Sequence, residues 1–272
     1  MARPLEELEV RTLGDFTAAI EPAPDKPGVS KWYRGCGKSK YKLKPSLYRN
    51  PLANNVEEII RLEARIMARF KQRSVPYMDR HLPNDWEYLF FMQHFGVPTR
   101  LLDWTENPYI ALYFAIIAAS ETRDNGRFLE DAAVWILDPT MWNQATLRHL
   151  SFKGGALSSD DDELRGYAPG SESHLMNNEP VAVYGTHNSP RIVAQRGVFT
   201  IFGQNMLSME HIVKENPSRR GTLTKLVLPQ DALSALRDSI FAIGVTESVV
   251  FPDLDGLSRE IRREFGYGGI DV

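Results

Sequence analysis

Asp103 and Thr105 are a carboxylate and a hydroxyl separated by one residue in a short apolar run that is bounded by helix-breaking residues. Residues 99–105 have the length and composition of a buried strand. Because side chains alternate across a strand, Asp103 and Thr105 would share one face, with Trp104 buried on the other. A polar pair at the end of a strand is typical of a cleft. The alternatives are a turn cap or an ion pair for Asp103, and ordinary strand formation for Thr105.

Arg34 is the second residue that could do chemistry. An aromatic pair, Trp32 and Tyr33, leads into Arg34 and Gly35, which is the pattern of a strand that ends at a turn. A glycine beside the arginine would let a ligand approach the backbone. The alternative is a surface ion pair, because most arginines are exposed.

His94 and the acidic run Asp160–Glu163 each have a structural interpretation. His94 lies in a predicted helix rich in phenylalanine and has no evident serine or cysteine partner. We therefore expect a buried histidine rather than the base of a hydrolase. Four consecutive carboxylates cannot converge on one ion without a defined turn, so we predict an acidic loop and no metal site.

Three elements must position the central residues. Gly96 ends a first helix, for which Asp85 is a suitable N-cap. The strand at 99–105 follows, and Asn107 before Pro108 then begins a second helix. Helical spacing gives this second helix one apolar face, made of Tyr109, Leu112, Tyr113 and Ile116.

The rest of the chain predicts further strands and helices. A capping box at 55–58 opens an amphipathic helix. Apolar runs predict strands at 132–137, 181–184, 198–202 and 223–228. Because strands and helices do not alternate strictly, we predict an α+β fold with mixed or antiparallel central sheets and flanking helices. Residues 1–27 are assigned to an N-terminal extension and 28–272 to a single domain, with loops at 21–28 and 124–126.

Composition limits the classes of function. The chain has 272 residues, 43% hydrophobic and 25% charged, as in ordinary globular proteins. A net charge of −3 gives no overall attraction to nucleic acids or anionic membranes. Cys36 is the single cysteine, so neither an internal disulfide nor a multi-cysteine metal site is expected. No apolar run has the length of a membrane span, and the first residues lack the apolar core of a signal peptide. We therefore expect a cytoplasmic protein without a membrane partner.

Several segments together resemble the FRG-domain family. Residues 32–35 are similar to the signature that gives the family its name, with tyrosine where phenylalanine is usual. Residues 41–49 resemble the segment that follows it. Residues 93–108, with the sequence Gln-His-Phe-Gly-Val-Pro-Thr-Arg-Leu-Leu-Asp-Trp-Thr-Glu-Asn-Pro, resemble its longest motif closely. Residues 195–200 and 251–256 are similar to later landmarks of the family.

This resemblance spans roughly residues 28 to 260, and the order of its motifs is similar to that of ADP-ribosyltransferases of the Arg-Ser-Glu type. It implies an NAD-dependent enzyme with an ADP-ribosyltransferase-like fold. Arg34, next to Gly35, matches the arginine that holds the pyrophosphate of NAD, where a guanidinium fork suits two phosphate oxygens. Thr105 matches the residue that orients the nicotinamide-side ribose. Tyr109 or Tyr113 is the aromatic residue expected to stack on nicotinamide.

The catalytic carboxylate of that family has no direct counterpart in the sequence. Gln195 is nearest to the expected position, and its neutral amide can hold a ribose hydroxyl but cannot act as a base. Asp103 is the first candidate for the missing charge, and Glu247 is the second. The predicted catalytic set is therefore Arg34, Asp103, Thr105 and Gln195.

The resemblance also implies partners. An enzyme of this type would be a toxin or phage-defence effector that modifies a protein or nucleic-acid acceptor, with an inhibitory antitoxin as a further partner. The competing hypothesis is a non-enzymatic module that binds a nucleotide or nucleic acid. Its cations would be Arg34, Lys44, Arg49 and Arg100, with Trp32 or Tyr48 for base stacking.

Overall fold

The structure is a computed structural model that describes residues 5–21, 30–78, 81–121, 127–171, 176–186 and 190–267. In these residues the strands are β1 (Glu6–Glu9), β2 (Trp32–Cys36), β3 (Leu101–Thr105), β4 (Ala132–Leu137), β5 (Val181–Val183), β6 (Gly197–Ile201) and β7 (Leu223–Leu228). The α-helices are α1 (Leu13–Ile20), α2 (Val56–Ser74), α3 (Asp85–His94), α4 (Pro108–Ile117), α5 (Pro139–Thr146), α6 (Pro190–Gln195), α7 (Met209–Glu215), α8 (Leu233–Ala242), α9 (Glu247–Val250) and α10 (Leu254–Glu264). The predicted loop at 124–126 and most of that at 21–28 lie outside the described residues.

The strands form one mixed sheet in the order β1-β7-β4-β2-β3-β6-β5. β1 pairs with β7 in parallel, and the other neighbours are antiparallel. With helices around this sheet, the predicted α+β class is confirmed. β1 lies in the segment that the sequence assigns to an N-terminal extension, so residues 6–9 extend the same sheet as the rest of the chain. None of the described helices is both long and apolar enough to cross a bilayer.

The centre of the sheet opens between β2 and β3. β2 pairs along its whole length with β4, and β3 along its whole length with β6. Between β2 and β3 the described residues pair at a single position, Tyr33 with Thr105. The two strands therefore separate beyond this pair, at the level of Arg34 and Asp103.

One face of the sheet buries the tryptophan of β3. Trp104 is 3% exposed and belongs to the same apolar cluster as Trp32 and Leu102. Its indole nitrogen donates a hydrogen bond to Thr200 Oγ1 at 3.1 Å. The predicted burial of Trp104 is therefore confirmed.

On the opposite face, α4 lies directly against β2. A Cβ atom at Gly35 would stand 2.0 Å from the carbonyl oxygen of Ala111 and 2.5 Å from the backbone nitrogen of Ala115. Glycine is required here because both neighbours are helix backbone atoms that cannot give way. Asn107 begins α4 as predicted, and its side chain accepts from backbone N–H groups of the first turn.

α2 and α3 contribute to the apolar cluster that contains Leu101 of β3. Asn84, rather than the predicted Asp85, caps α3, because Asp85 is already the first helical residue. Arg100 connects the start of β3 to α2 through a fully buried ion pair with Glu63, in which Nε lies 2.9 Å from both carboxylate oxygens.

Candidate functional site

A cavity of about 470 Å³ lies at the opening between β2 and β3. Residues of both strands, α3 and α6 contribute to its wall, and its polar lining includes Arg34, Arg49, Gln93, Asp103, Thr105 and Gln195. The four residues of the predicted catalytic set therefore surround one cavity. Its volume is in the range of sites for small molecules and cofactors.

Arg34 reaches from β2 across the opening to β3. Its Nη1 donates to the backbone carbonyl oxygen of Asp103 at 2.5 Å and lies 3.8 Å from the Asp103 carboxylate. The second distance is longer than a hydrogen bond, so the carboxylate neutralises the guanidinium only in part. Because the Arg34 side chain is 25% exposed, it remains accessible to a ligand in the cavity.

Asp103 provides the exposed carboxylate of the cavity, with 54% of its side chain accessible. Its Oδ2 accepts from Nε2 of Gln93 at 2.7 Å. Gln93 Oε1 in turn accepts from the hydroxyl of Thr99 at 2.5 Å. This relay orients the carboxylate and leaves its Oδ1 without a hydrogen bond among the described residues.

The hydroxyl of Thr105 is already used by the fold. It donates to the backbone carbonyl of Gln195 at 2.5 Å and accepts from the N–H of Asn107 at 3.0 Å. The side-chain amide of Gln195 donates to the carbonyl of Val250 at 3.1 Å. Both residues thus connect β3 to the surrounding helices. We assign them to positioning the site, rather than to the direct ribose contact expected from the sequence.

Three residues expected to bind the cofactor have packing roles. Gly35 lines the cavity, but its lack of a side chain is required by α4. Tyr109 packs against Phe16 of α1, with ring centroids 5.9 Å apart, and Tyr113 is 1% exposed in the apolar core. The aromatic side chain of α4 that lines the cavity is Phe114. The structure thus does not support stacking of either tyrosine on a ligand there.

Glu247, the second candidate carboxylate, is bound to Arg263. Its two oxygens accept from the arginine Nε at 3.0 and 3.1 Å, and the residue is 7% exposed. The pair connects α9 to α10, and Glu247 is not part of the cavity wall. A buried carboxylate neutralised in this way has a structural role, which leaves Asp103 as the candidate.

Arg191 is a candidate that sequence reasoning missed, because nothing in the pattern around it signals a ligand. It lines both the central cavity and an adjoining cavity of about 510 Å³. Its guanidinium stacks on the Phe251 ring at 4.6 Å, and it makes no ion pair with the described residues. Partial burial lowers its pKa, opposed by Asp253 and Asp103. A half-buried cation without a close counterion favours an anionic ligand.

His94 also lines both cavities, and its position corrects the prediction of a buried core histidine. His94 is the last residue of α3, and its side chain is half-buried. Two residues later, Gly96 turns the chain with a φ of +73°. Partial burial, and then the charge of Arg191, lower the pKa of His94, while Asp103 acts in the opposite direction. The imidazole is therefore mostly neutral at neutral pH. Helical periodicity missed it because the helix ends where it leaves the core.

The residues predicted for the binding-module hypothesis are mostly engaged elsewhere. Arg100 is neutralised by its buried ion pair. Trp32 and Tyr48 are 0% and 2% exposed, so neither ring can stack on a base. Lys44 is not part of the cavity wall, whereas the exposed Arg49 is.

Comparison with protein families places the strands of the opening in one known domain. Residues 30–124 match the model of the FRG domain. The match includes the segments at 32–35, 41–49 and 93–108, and it ends before those at 195–200 and 251–256. Comparisons with curated proteins and with solved structures gave no match. The match over this range, which carries Arg34, Asp103 and Thr105, confirms the predicted resemblance to the FRG domain.

Proposed function

We propose that this chain is an NAD-dependent ADP-ribosyltransferase. The supporting observation is that Arg34, Asp103 and Thr105 surround one cavity in the middle of the sheet. An anion holder and an exposed carboxylate thus face each other from neighbouring strands. The order of the sequence motifs, similar to that of ADP-ribosyltransferases, supports the same function and an ADP-ribosyltransferase-like fold.

Arg34 and Arg191 would hold the pyrophosphate of NAD. A guanidinium can donate two parallel N–H groups to phosphate oxygens. Arg34 has its nearest carboxylate oxygen at 3.8 Å, and Arg191 rests on an aromatic ring. Two phosphates spanning the joined cavities would give each guanidinium a counterion.

Asp103 would act on the ribose. Transfer breaks the bond between ribose C1′ and the nicotinamide nitrogen, and nicotinamide leaves with the bonding electrons. Positive charge then develops on the ribose, where a fixed carboxylate stabilises it. The acceptor nucleophile forms the new bond to C1′, and its proton passes to the carboxylate or to water. Gln93 would hold Asp103 in place.

The proposal is tested with the variant Asp103→Asn and NAD labelled in its adenylate half. Asparagine keeps the shape and removes the charge, so the variant should bind NAD but release nicotinamide about a hundredfold more slowly. Asp238→Asn, on the exposed side of α8, is the matched control and should react as wild type. Binding is measured by calorimetry. Nicotinamide release and label transfer are measured with the protein alone, with cell extract added, and with RNA or DNA added.

The outcomes separate the candidate functions. NAD binding without nicotinamide release under any of these conditions would contradict the enzyme and favour a nucleotide-binding module. The engagement of Thr105 and Gln195 by the fold already favours that second function. Equal release by wild type and Asp103→Asn would keep the enzyme but remove Asp103 from its role. Absence of NAD binding would overturn the enzyme and leave a module that binds another nucleotide or a nucleic acid.

A further inference from the structure

The exposed side of α2 carries charge that neither the fold nor the proposed function uses. Arg61, Arg65, Arg69 and Arg73 recur every four residues, so they follow one side of the helix. All four are exposed. Like charges at this spacing repel each other, which is unfavourable unless a ligand compensates.

A groove of about 990 Å³ runs beside this helix. Three of the arginines, Arg65, Arg69 and Arg73, line it together with apolar Ile66 and half-buried Phe70. Among the described residues, no aspartate or glutamate contributes to the wall of the groove. The groove therefore combines concentrated positive charge with an aromatic ring.

These arginines make no ion pair with the described residues. Arg69 donates to the side-chain oxygen of Gln72 at 3.1 Å, which leaves its charge uncompensated. Two nearby carboxylates are engaged elsewhere, since Glu63 pairs with Arg100 and Asp85 with Lys71. The positive charge of the groove is thus available to a ligand.

The groove lies next to the central cavity. Val97, in the turn between α3 and β3, lines both. A chain lying along α2 would therefore lead past Val97 to the wall that contains Asp103. The shared residue brings the charge on α2 close to the proposed reaction centre.

We infer that the groove binds a single-stranded polynucleotide, and that this strand is the acceptor of ADP-ribose, the second part resting on the proposed function. Four helical residues advance about 6 Å, so Arg65, Arg69 and Arg73 present regular positive charge over about 12 Å. The phosphates of an extended strand present negative charge at regular intervals in the same way. The exposed part of the Phe70 ring offers a surface on which a base can stack, and this favours a polynucleotide over a purely acidic chain such as poly-glutamate.

The test measures fluorescence anisotropy of labelled RNA and DNA oligonucleotides, single- and double-stranded, with the full chain and without NAD. The variant Arg65→Gln/Arg69→Gln/Arg73→Gln removes three charges while keeping good helix-forming residues. It should bind single strands at least about tenfold more weakly. The slope of log affinity against log salt should shrink by about 2, at roughly 0.7 for each lost phosphate contact.

The control is a variant that loses the same net charge at exposed positions elsewhere, Arg148→Gln/Lys214→Gln/Arg220→Gln. It should bind oligonucleotides as wild type does. Thermal melting establishes that both variants are folded. The single variant Arg69→Gln should give a smaller loss of affinity, which keeps the test decisive if the triple variant is unstable.

Three results would overturn the inference. These are absence of oligonucleotide binding at low salt, binding that the α2 variant leaves unchanged, and binding of poly-glutamate in place of oligonucleotides. The two proposals remain distinguishable because no NAD is present. A protein that binds strands through α2 but never releases nicotinamide contradicts the proposed enzyme, and with it the acceptor role of the strand, but not strand binding by the groove. One that releases nicotinamide but binds no strand contradicts only this inference.

Discussion

Arg34 is the side chain that connects the two strands of the opening and faces the cavity. In Arg34→Lys the charge is kept but the fork of parallel donors is lost. We expect at least a tenfold loss of NAD affinity by calorimetry, with a melting temperature close to wild type. Arg148→Lys, at an exposed site, should change neither. Wild-type affinity in Arg34→Lys would show that the arginine serves only to tie β2 to β3.

His94 should make stability depend on pH. Its pKa in the folded protein lies below the ordinary value of 6.5, because of partial burial and Arg191. Between these two pKa values the unfolded chain binds more protons than the folded protein. The contribution of neutral His94 to stability is therefore complete above pH 6.5, and it is lost as the pH falls through the folded-state pKa. His94→Gln should weaken this dependence, as measured by urea unfolding on either side of pH 6.5. Exposed His149→Gln should leave it unchanged, and an equal effect of both substitutions would exclude a specific role for His94.

Sequence reasoning located some site residues and misplaced others for a physical reason. Asp103 could be placed on a cleft because strand alternation is local and a carboxylate avoids a core. Tyr109 and Tyr113 could not be placed, because helical periodicity defines an apolar face without saying what covers it. The use of the Thr105 hydroxyl by Gln195 depends on a contact between residues 90 positions apart, which no local pattern contains.

Among the secondary-structure elements, β3 depends on Trp104 for its attachment to the core. Trp104→Ala should lower the free energy of unfolding by about 3–5 kcal/mol, because it leaves a cavity and removes the partner of Thr200. Chemical denaturation of wild type and variant measures the difference. Tyr41→Ala, at a half-exposed aromatic, should cost much less. An unchanged midpoint for Trp104→Ala would mean that the tryptophan is not a core residue.

The first and last residues of a strand were predictable where a short, mostly apolar segment lies between helix- or strand-breaking residues. Which strands pair with each other was not predictable. β4 and β7 have the predicted bounds because each is a six-residue segment, mostly apolar, that ends just before a proline or an Asp-Pro pair. Their adjacency, and the separation of β2 from β3, depend on contacts far apart in the sequence. The site lies at that separation, so the sequence could suggest its residues but not its shape.

For the whole molecule, the first 21 residues should matter for stability and for solubility. β1 covers the edge of β7, and Phe16 of α1 is fully buried. A variant without residues 1–21 should melt at a lower temperature and self-associate, because β7 becomes an open edge. Phe16→Ala in the full chain, which keeps β1, should lower stability without association. Light scattering distinguishes the two, and a monomeric truncated protein would argue against edge protection.

The α+β class of the whole chain was predictable from the order of its elements. The pairing of residues 6–9 with β7 was not. The sequence Glu-Glu-Leu-Glu of β1 has too few apolar residues to predict a strand. It pairs because β7 offers a free edge, and its charges suit a strand with one open side. The pairing of β1 therefore depends on the edge that β7 offers, and residues 6–9 alone do not predict it.

The single pair between β2 and β3 also affects how firmly the two sides of the sheet are held together. β1, β7, β4 and β2 form one continuous half of the sheet, and β3, β6 and β5 form the other. The hydrogen bond from Arg34 to the Asp103 carbonyl joins these halves next to the pair of Tyr33 and Thr105. An anion that draws the guanidinium away would break this hydrogen bond, so we expect a bound ligand to loosen the contact between β2 and β3. Ligand binding should therefore change backbone amide exchange along both strands of this seam.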